Sequence, residues 1–236
     1  MRIFFPIAGQ GARFGHKFKP FLTIGDETFI EAAVRPFLRH SASIEQFVFV
    51  CLEQQERTFD VTHRLSEMFG DLPVRVVTLD TPTRGPAETI GRAVEQLAAR
   101  GPAFVCDCDH EVDVDPLFAL IERGASYEAL LPVWPLEAEN LAAWSVARVE
   151  RGRVTAIAEK KLPPGTGGEL FGVIGCYGFR DIAAVAQRAH ALGATNFSDV
   201  IVEIIEGGGQ VIAAPIERAR FFGDPERLEK VLTGDR

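Results

Sequence analysis

An alternation constrains this chain most. Apolar runs of strand length are followed repeatedly by stretches with helical periodicity. Residues 2–7 read as a buried strand, residues 29–38 place Ile30, Ala33, Val34 and Phe37 at helical spacing, and residues 46–52 (QFVFVCL) form a continuous β-rich run. A helix is then expected over 55–69, a strand over 73–79, a helix over 87–99 with Ile90, Ala93, Val94 and Leu97 on one face, and a strand over 102–106. Strands covered on both faces lose their polar alternation, and strand–helix repetition makes neighbouring strands parallel. The expected fold is α/β, a Rossmann-like three-layer sandwich with a mainly parallel, mixed sheet.

The second half changes character. Residues 128–135 and 144–157 read as strands, the latter folded at Glu150-Arg151-Gly152-Arg153 into a hairpin. Residues 163–168 (PPGTGG) form a loop by composition, and residues 173–179 form a strand. Helices over 181–191 and 198–206, a strand over 210–214 and a short last helix capped by Asp224 and Pro225 complete the pattern. Asp115-Pro116 reads as another helix N-cap with a first-turn proline. No repeat or linker divides the chain. One domain over 1–236 is expected, with a first half of about 1–115 and a lobe of about 125–180.

Composition narrows the function classes. The 236 residues carry 25 Lys plus Arg against 33 Asp plus Glu, a net charge of −8. That balance argues against nucleic acid or an anionic membrane as partner, since both demand a basic surface. No apolar run approaches a membrane span, and the first residues are too short and broken a run for a signal peptide. Cys51, Cys106, Cys108 and Cys176 lack zinc or redox spacing and read as reduced core residues of a cytoplasmic protein.

In open α/β sheets ligands bind beyond the carboxyl ends of the strands, which directs attention to the segments after Ile7, Leu79 and Cys106. After the first strand comes Ala8-Gly9-Gln10-Gly11-Ala12-Arg13-Phe14-Gly15, then Lys17, Lys19 and Pro20. Glycines let backbone N–H groups close around a phosphate, and Arg13, Lys17 and Lys19 concentrate positive charge in an acidic protein. The loop is neither a Walker A sequence nor a dinucleotide fingerprint, whose third glycine would come one residue earlier.

The loop resembles the signature of the sugar-1-phosphate nucleotidylyltransferases, including the phosphocholine cytidylyltransferase branch, with the segment from Pro6 to Gly15 followed by Lys19-Pro20-Phe21-Leu22. Collinear segments extend the resemblance over nearly the whole chain. They are residues 83–90 (TRGPAETI), 104–110 (FVCDCDH), 157–161 (IAEKK), 171–179 (FGVIGCYGF), 197–201 (FSDVI) and 223–228 (GDPERL). The resemblance implies a fold of the nucleotide-diphospho-sugar transferase type. It also implies attack by an acceptor phosphate on the α-phosphorus of a nucleoside triphosphate, with Mg²⁺ as cofactor. Ala8, Gly9, Gln10, Gly11, Ala12, Arg13, Lys19, Arg84 and Gly85 would then hold the nucleotide, with Lys19 bridging donor and acceptor phosphates. Glu159, Lys160 and Gly172 would meet the acceptor, a sugar 1-phosphate or similar small phosphate. Asp109 would hold the metal, and Arg13, Lys19 and Asp109 would form the catalytic set.

The pattern also departs from the family. The second metal aspartate usually stands just before Gly-Thr-Pro; here the segment reads Phe222-Gly223-Asp224-Pro225, so Asp224 is either a displaced ligand or a helix cap. Arg84 replaces a smaller or amide residue, so the base does not carry over. Asp107 reads as a support behind Asp109, His110 as a loop hydrogen-bonder, and Trp134 and Trp144 as packing residues. Two other readings stay open: a metal-dependent glycosyltransferase using Asp107-x-Asp109, and a non-catalytic nucleotide-sugar sensor. A homo-oligomer is also left open.

Overall fold

The computed structural model describes residues 1–136 and 144–233, so residues 137–143 of the expected acceptor-side lobe lie outside the described residues. In chain order the first half holds β1 (Arg2–Pro6), β2 (Thr23–Ile24), β3 (Glu27–Thr28), α1 (Phe29–Val34), β4 (Gln46–Leu52), α2 (Glu53–Phe59), α3 (Val61–Phe69), β5 (Val74–Leu79), α4 (Pro86–Leu97), β6 (Ala103–Cys106), β7 (His110–Val112) and α5 (Asp115–Glu122). The second half holds β8 (Ala129–Pro135), β9 (Ser145–Glu150), β10 (Arg153–Glu159), β11 (Glu169–Val173), β12 (Cys176–Phe179), α6 (Ile182–Leu192), α7 (Phe197–Glu206), β13 (Val211–Pro215), β14 (Ala219–Phe221) and α8 (Pro225–Thr233).

One ten-stranded sheet runs in the order β11-β9-β10-β13-β8-β12-β6-β1-β4-β5. The β6-β1-β4-β5 wing is parallel, as its uninterrupted apolar strands demand. The other wing is mixed: β12 runs antiparallel between β6 and β8, β13 parallel to β8, and β9–β10 is an antiparallel hairpin. Its turn has Arg151 at φ 52° and Gly152 at φ 77°, the left-handed pair of a two-residue I′ turn.

Side-chain alternation along β1 and β4 divides the core into the two layers. Phe4, Val48 and Val50 meet Ile90, Val94, Val185 and Ile201 from α4, α6 and α7 on one face. Ile3, Phe5, Phe47 and Phe49 meet Ile30, Val34, Leu65 and Leu117 from α1, α3 and α5 on the other. Phe5 stacks on Phe49 at 5.2 Å between centroids, and Phe49 on Phe69 at 5.7 Å. Among the described residues no helix is long and apolar enough to cross a membrane.

Four expectations are corrected. The helix expected over 55–69 is two, broken at Asp60 (φ 49°): α3 buries Val61 and Leu65, whereas α2 lays only the half-buried Phe59 on the core. The helix expected over 29–38 ends at Val34 and continues as a 3₁₀ segment from Arg35 to Ser43, where Pro36 lacks the N–H an α-helix requires. The single strand expected over 173–179 is interrupted at Ile174–Gly175, since β11 pairs with β8 and β9 whereas β12 pairs with β6 and β8. Asp115 does not cap α5: Val114 holds that place, Asp113 Oδ1 accepts the Asp115 N–H at 3.2 Å, and the Asp115 carboxylate pairs with His40 and Arg39 at 2.8 and 2.9 Å.

Sequence periodicity gave no sign of the ribbon β7–β14, in which His110 faces Phe221 and Val112 faces Ala219. Four charged side chains fasten it to the N-terminal third: Arg220 binds Glu111 and Glu27 at 2.5 and 2.7 Å, and Arg35 binds the same two carboxylates.

Candidate active site

The loop after β1 closes on itself before it reaches any ligand. Gly11 has φ 61°, and a Cβ there would lie 2.0 Å from the Lys17 carbonyl oxygen, so only glycine fits. Its carbonyl accepts the N–H groups of Phe14 and His16 at 2.9 and 3.0 Å. The Gly9 carbonyl accepts from Gln55 Nε2 at 3.0 Å, which ties the loop to α2. Gly9, Gln10, Ala12 and Arg13 are exposed, while Ala8 and Gly11 are half-buried. Phe18, stacked on Phe59 at 4.7 Å, and buried Pro20 anchor the turn that follows. This anchoring directs Lys19 across the end of the sheet, where its ammonium donates to Asp109 Oδ2.

Asp109 lies just beyond β6, in the loop that leads into β7. Burial disfavours its charge, but the hydrogen bond from His110 and the ammonium of Lys19 outweigh burial and hold the carboxyl well below the usual range. Lys19 mirrors this: burial opposes its charge, and Asp109 more than compensates, raising its pKa. Asp107 takes the opposite path. Loss of water and then the neighbouring charge of Asp109 push its carboxyl up to about 6. Asp107, Asp109 and His110 each offer a ligand atom, all within 4.8 Å of one another. His110 is 7% exposed; its Nδ1 lies 3.1 Å from Asp109 Oδ1, and its buried Nε2 has no hydrogen-bond partner. Two carboxylates and an imidazole nitrogen with spare capacity suit a divalent metal ion.

The interruption between β11 and β12 forms the wall of this cluster. Gly175 O accepts the Asp107 N–H at 2.7 Å, and a Cβ on Gly175 would lie 2.0 Å from Asp107 Oδ2 and 3.1 Å from His110 Cε1. Glu159, at the end of β10, has its carboxylate held by the hydroxyls of Ser145 and of Ser198, the latter at 3.3 Å. The half-buried Tyr177 phenol has its pKa raised by loss of water and by the Asp107 and Glu159 carboxylates. Lys160 is exposed, with φ 54°, and its N–H donates to Trp144 O at 2.9 Å. Gly172 lies against the Trp144 indole, which a Cβ would meet at 3.1 Å. Trp144 and Trp134 pack edge-on against Phe221 at 4.9 and 5.8 Å.

The loop after β5 is held by its own helix. Arg84 pairs with Glu88 at 2.8 Å at the start of α4, and its hydrogen bonds lower the Glu88 pKa to about 2. Gly85 passes so near the turn between α6 and α7 that a Cβ would lie 2.4 Å from Thr195 O.

The structure separates the two expected metal ligands. Asp224 Oδ1 accepts the Arg227 N–H at 3.0 Å, which makes Asp224 the cap of α8, and it is not in the cluster around Asp109. Phe222 occupies the position of the family's second acid, fully buried against Phe29 at 4.7 Å, with its N–H on Asp109 O at 3.1 Å. The residues that sequence reasoning undervalued are Asp107 and His110. The Asp-x-Asp-His spacing was visible, but the buried ring and the glycine opposite it were not.

Comparison with known proteins places the chain in a family. A family profile described as a MobA-like NTP transferase domain matches residues 7–162. No curated protein sequence matches the chain. Among solved structures, a nucleoside-diphosphate-sugar pyrophosphorylase from Vibrio cholerae RC9 is similar at 23% identity and TM-score 0.78, covering 98% of this chain and 99% of that one. A UTP-bound UGPase from Acinetobacter baumannii follows at 18%, 0.76, 99% and 92%. The inositol-1-phosphate CTP transferase from T. maritima follows at 16%, 0.72, 100% and 97%. At these identities the likeness shows a shared fold. With the profile spanning the loop after β1, the metal-suited cluster after β6 and the end of β10, the chain belongs to the MobA-like NTP transferase domain family and is a nucleotidyltransferase.

Proposed function

We propose that this chain transfers a nucleoside monophosphate from an NTP to the phosphate of a sugar 1-phosphate or similar small phosphate, releasing pyrophosphate. The observation that carries this reading is the meeting of Lys19 with Asp109, from separate loops, at the carboxyl ends of β1 and β6. An acceptor phosphate oxygen forms a bond to the α-phosphorus, the bond from that phosphorus to the bridging oxygen breaks, and pyrophosphate departs with the electron pair. No protein nucleophile is needed, so the work is positioning and neutralisation of charge.

Residues 8–13 cradle the triphosphate with backbone N–H groups, and the Arg13 guanidinium neutralises it. Lys19 turns from Asp109 toward the phosphates and bridges donor and acceptor. Arg84 and Gly85 border the nucleoside. Glu159, fixed by Ser145 and Ser198, accepts from acceptor hydroxyls, while Lys160 faces the acceptor phosphate beside Gly172. A divalent ion such as Mg²⁺, held at Asp109, would supply charge stabilisation to the phosphate oxygens. In this reading residues of about 1–115 serve the nucleotide and those of about 125–180 the acceptor, within one domain.

The test is a screen of the common NTPs against a panel of sugar 1-phosphates, inositol 1-phosphate and phosphocholine, with divalent metal and pyrophosphate as readout. Pyrophosphate release with at least one acceptor is expected. Binding of NTP without release in every pair would sink the reading and favour the sensor.

A further inference from the structure

We propose that His110 is a metal ligand in this chain, so that the ion is held by Asp107, Asp109 and an imidazole nitrogen, and the site prefers Mn²⁺ to Mg²⁺. The inference rests on the reading of Asp109 as the metal-holding acid and goes beyond it in the donor set and the metal.

Three observations converge. First, among the described residues the cluster draws no acid from the C-terminal segment: Phe222, whose N–H reaches Asp109 O, is a buried ring, and Asp224 is turned to the start of α8. Second, His110 is nine-tenths buried yet leaves Nε2 without a partner. A buried polar atom without a hydrogen-bond partner is costly, and such atoms are rare in folded proteins unless something else engages them. Third, the space between the imidazole and Asp107 is kept open by the absence of a side chain. A Cβ on Gly175 would stand 3.1 Å from His110 Cε1 and 2.0 Å from Asp107 Oδ2, so any other residue would fill the gap. The ring edge bearing both nitrogens therefore borders the two carboxylates, with all three ligand atoms within 4.8 Å.

Donor chemistry then selects the ion. Mg²⁺ is hard, demands near-ideal octahedral geometry and takes oxygen ligands. An imidazole nitrogen adds affinity for first-row divalent ions while adding little for Mg²⁺. Two carboxylates and one imidazole thus tilt the centre toward Mn²⁺. The rival role is purely structural: His110 would orient the Asp109 carboxylate and touch no metal. The two roles differ in one observable, direct nitrogen coordination.

The experiment titrates Mn²⁺ alone into the full chain, following free Mn²⁺ by EPR and bound Mn²⁺ by pulsed EPR sensitive to ¹⁴N coupling. Wild type, Lys19→Gln and His110→Asn are compared, with Mg²⁺ affinity read by competition. Expected are imidazole nitrogen coupling in wild type and Lys19→Gln, and a loss of Mn²⁺ affinity of about tenfold or more in His110→Asn, the scale on which metal-supporting residues act. The Mg²⁺ affinity of His110→Asn should change far less. Absence of Mn²⁺ binding, bound Mn²⁺ without nitrogen coupling, or equal losses for both ions would overturn the proposal. Should His110→Asn fail to fold, the spectra of the two His-containing proteins decide alone. Pyrophosphate release without nitrogen coupling would end this inference and leave the transfer reading intact; nitrogen coupling without release from any substrate pair would do the reverse.

Discussion

The ammonium of Lys19 rests on the carboxylate of Asp109, so the cation proposed to serve the phosphates also covers the acid proposed to hold the metal. In the proposed mechanism one charge does two tasks at different times: it neutralises Asp109 in the free protein and the phosphates in the loaded one. Lys19→Ala is expected to fold with a normal melting curve but to lose about 10²–10³ in kcat, the scale of a lost transition-state contact. Near wild-type turnover would remove Lys19 from the mechanism. The same pairing predicts tighter binding of free metal in Lys19→Gln than in wild type, measured by calorimetry without nucleotide.

Arg13 and Lys160 lie in different loops and should separate kinetically. Arg13→Ala is expected to raise the KM for NTP, and Lys160→Ala the KM for the acceptor, each without a matching change for the other substrate. Two variants that both act on the NTP would show that the Glu159-Lys160 segment has been assigned the wrong partner.

Asp109 and Asp224 should also part company. Asp109→Asn is expected to abolish metal-dependent turnover nearly completely. Asp224→Asn should retain most activity and stability, because an amide caps a helix about as well as a carboxylate. A comparable activity loss in both, restored in part by Mn²⁺, would return Asp224 to the metal site.

Asp107 carries a stability signature of its own. Its pKa is raised from the ordinary 3.8 to about 6 in the folded state. Below pH 3.8 the group is protonated folded or unfolded and contributes nothing. Between about pH 4 and 6 the unfolded chain releases the proton first, so stability falls as pH rises and the full cost persists above 6. Asp107→Asn should therefore raise the melting temperature at pH 7, flatten the dependence between pH 4 and 6, and impair turnover. An unchanged pH profile of melting would contradict the raised pKa. The trade of stability for a working site is common in enzymes.

Two glycines of the first loop make a paired test. Gly11→Ala collides with backbone at 2.0 Å and must leave a left-handed conformation, so it should weaken NTP binding strongly and destabilise the fold by about 1–3 kcal/mol. A Cβ on Gly9 meets nothing within 4 Å, so Gly9→Ala should melt like wild type. Similar denaturation midpoints for the two variants would show that the loop tolerates more than its geometry allows.

Local patterns made most of the sheet readable. Residues 46–52 could only be a strand covered on both faces, and the Arg151-Gly152 turn could only be a tight hairpin. The loop motif also marked Lys19, but no local rule said that its ammonium would settle on Asp109. Three features depended on distant partners. Asp60 breaks a helix at the point where burial passes from half-buried Phe59 to fully buried Val61 and Leu65. Gly175 interrupts a strand because its carbonyl is claimed by Asp107. The strands β7 and β14 are three residues each, too short for periodicity, and exist because His110 and Phe221 find each other. His110 looked like an ordinary loop residue for the same reason: its burial is supplied by residues far along the chain.

That ribbon has a consequence for how the protein comes into being. Asp109 is held by Phe222, and Glu111 by Arg35 and Arg220, so the segment bearing the acid is braced from both ends of the chain. Such distant contacts repay their loop-closure entropy late in folding. During synthesis the sheet and its covering helices through α7 can assemble first, while the acid just beyond β6 waits for the last part of the chain to leave the ribosome. The nascent protein is therefore a stable scaffold before it is a transferase, and a truncated product ending ahead of Phe222 should keep its secondary structure and lack the chemistry.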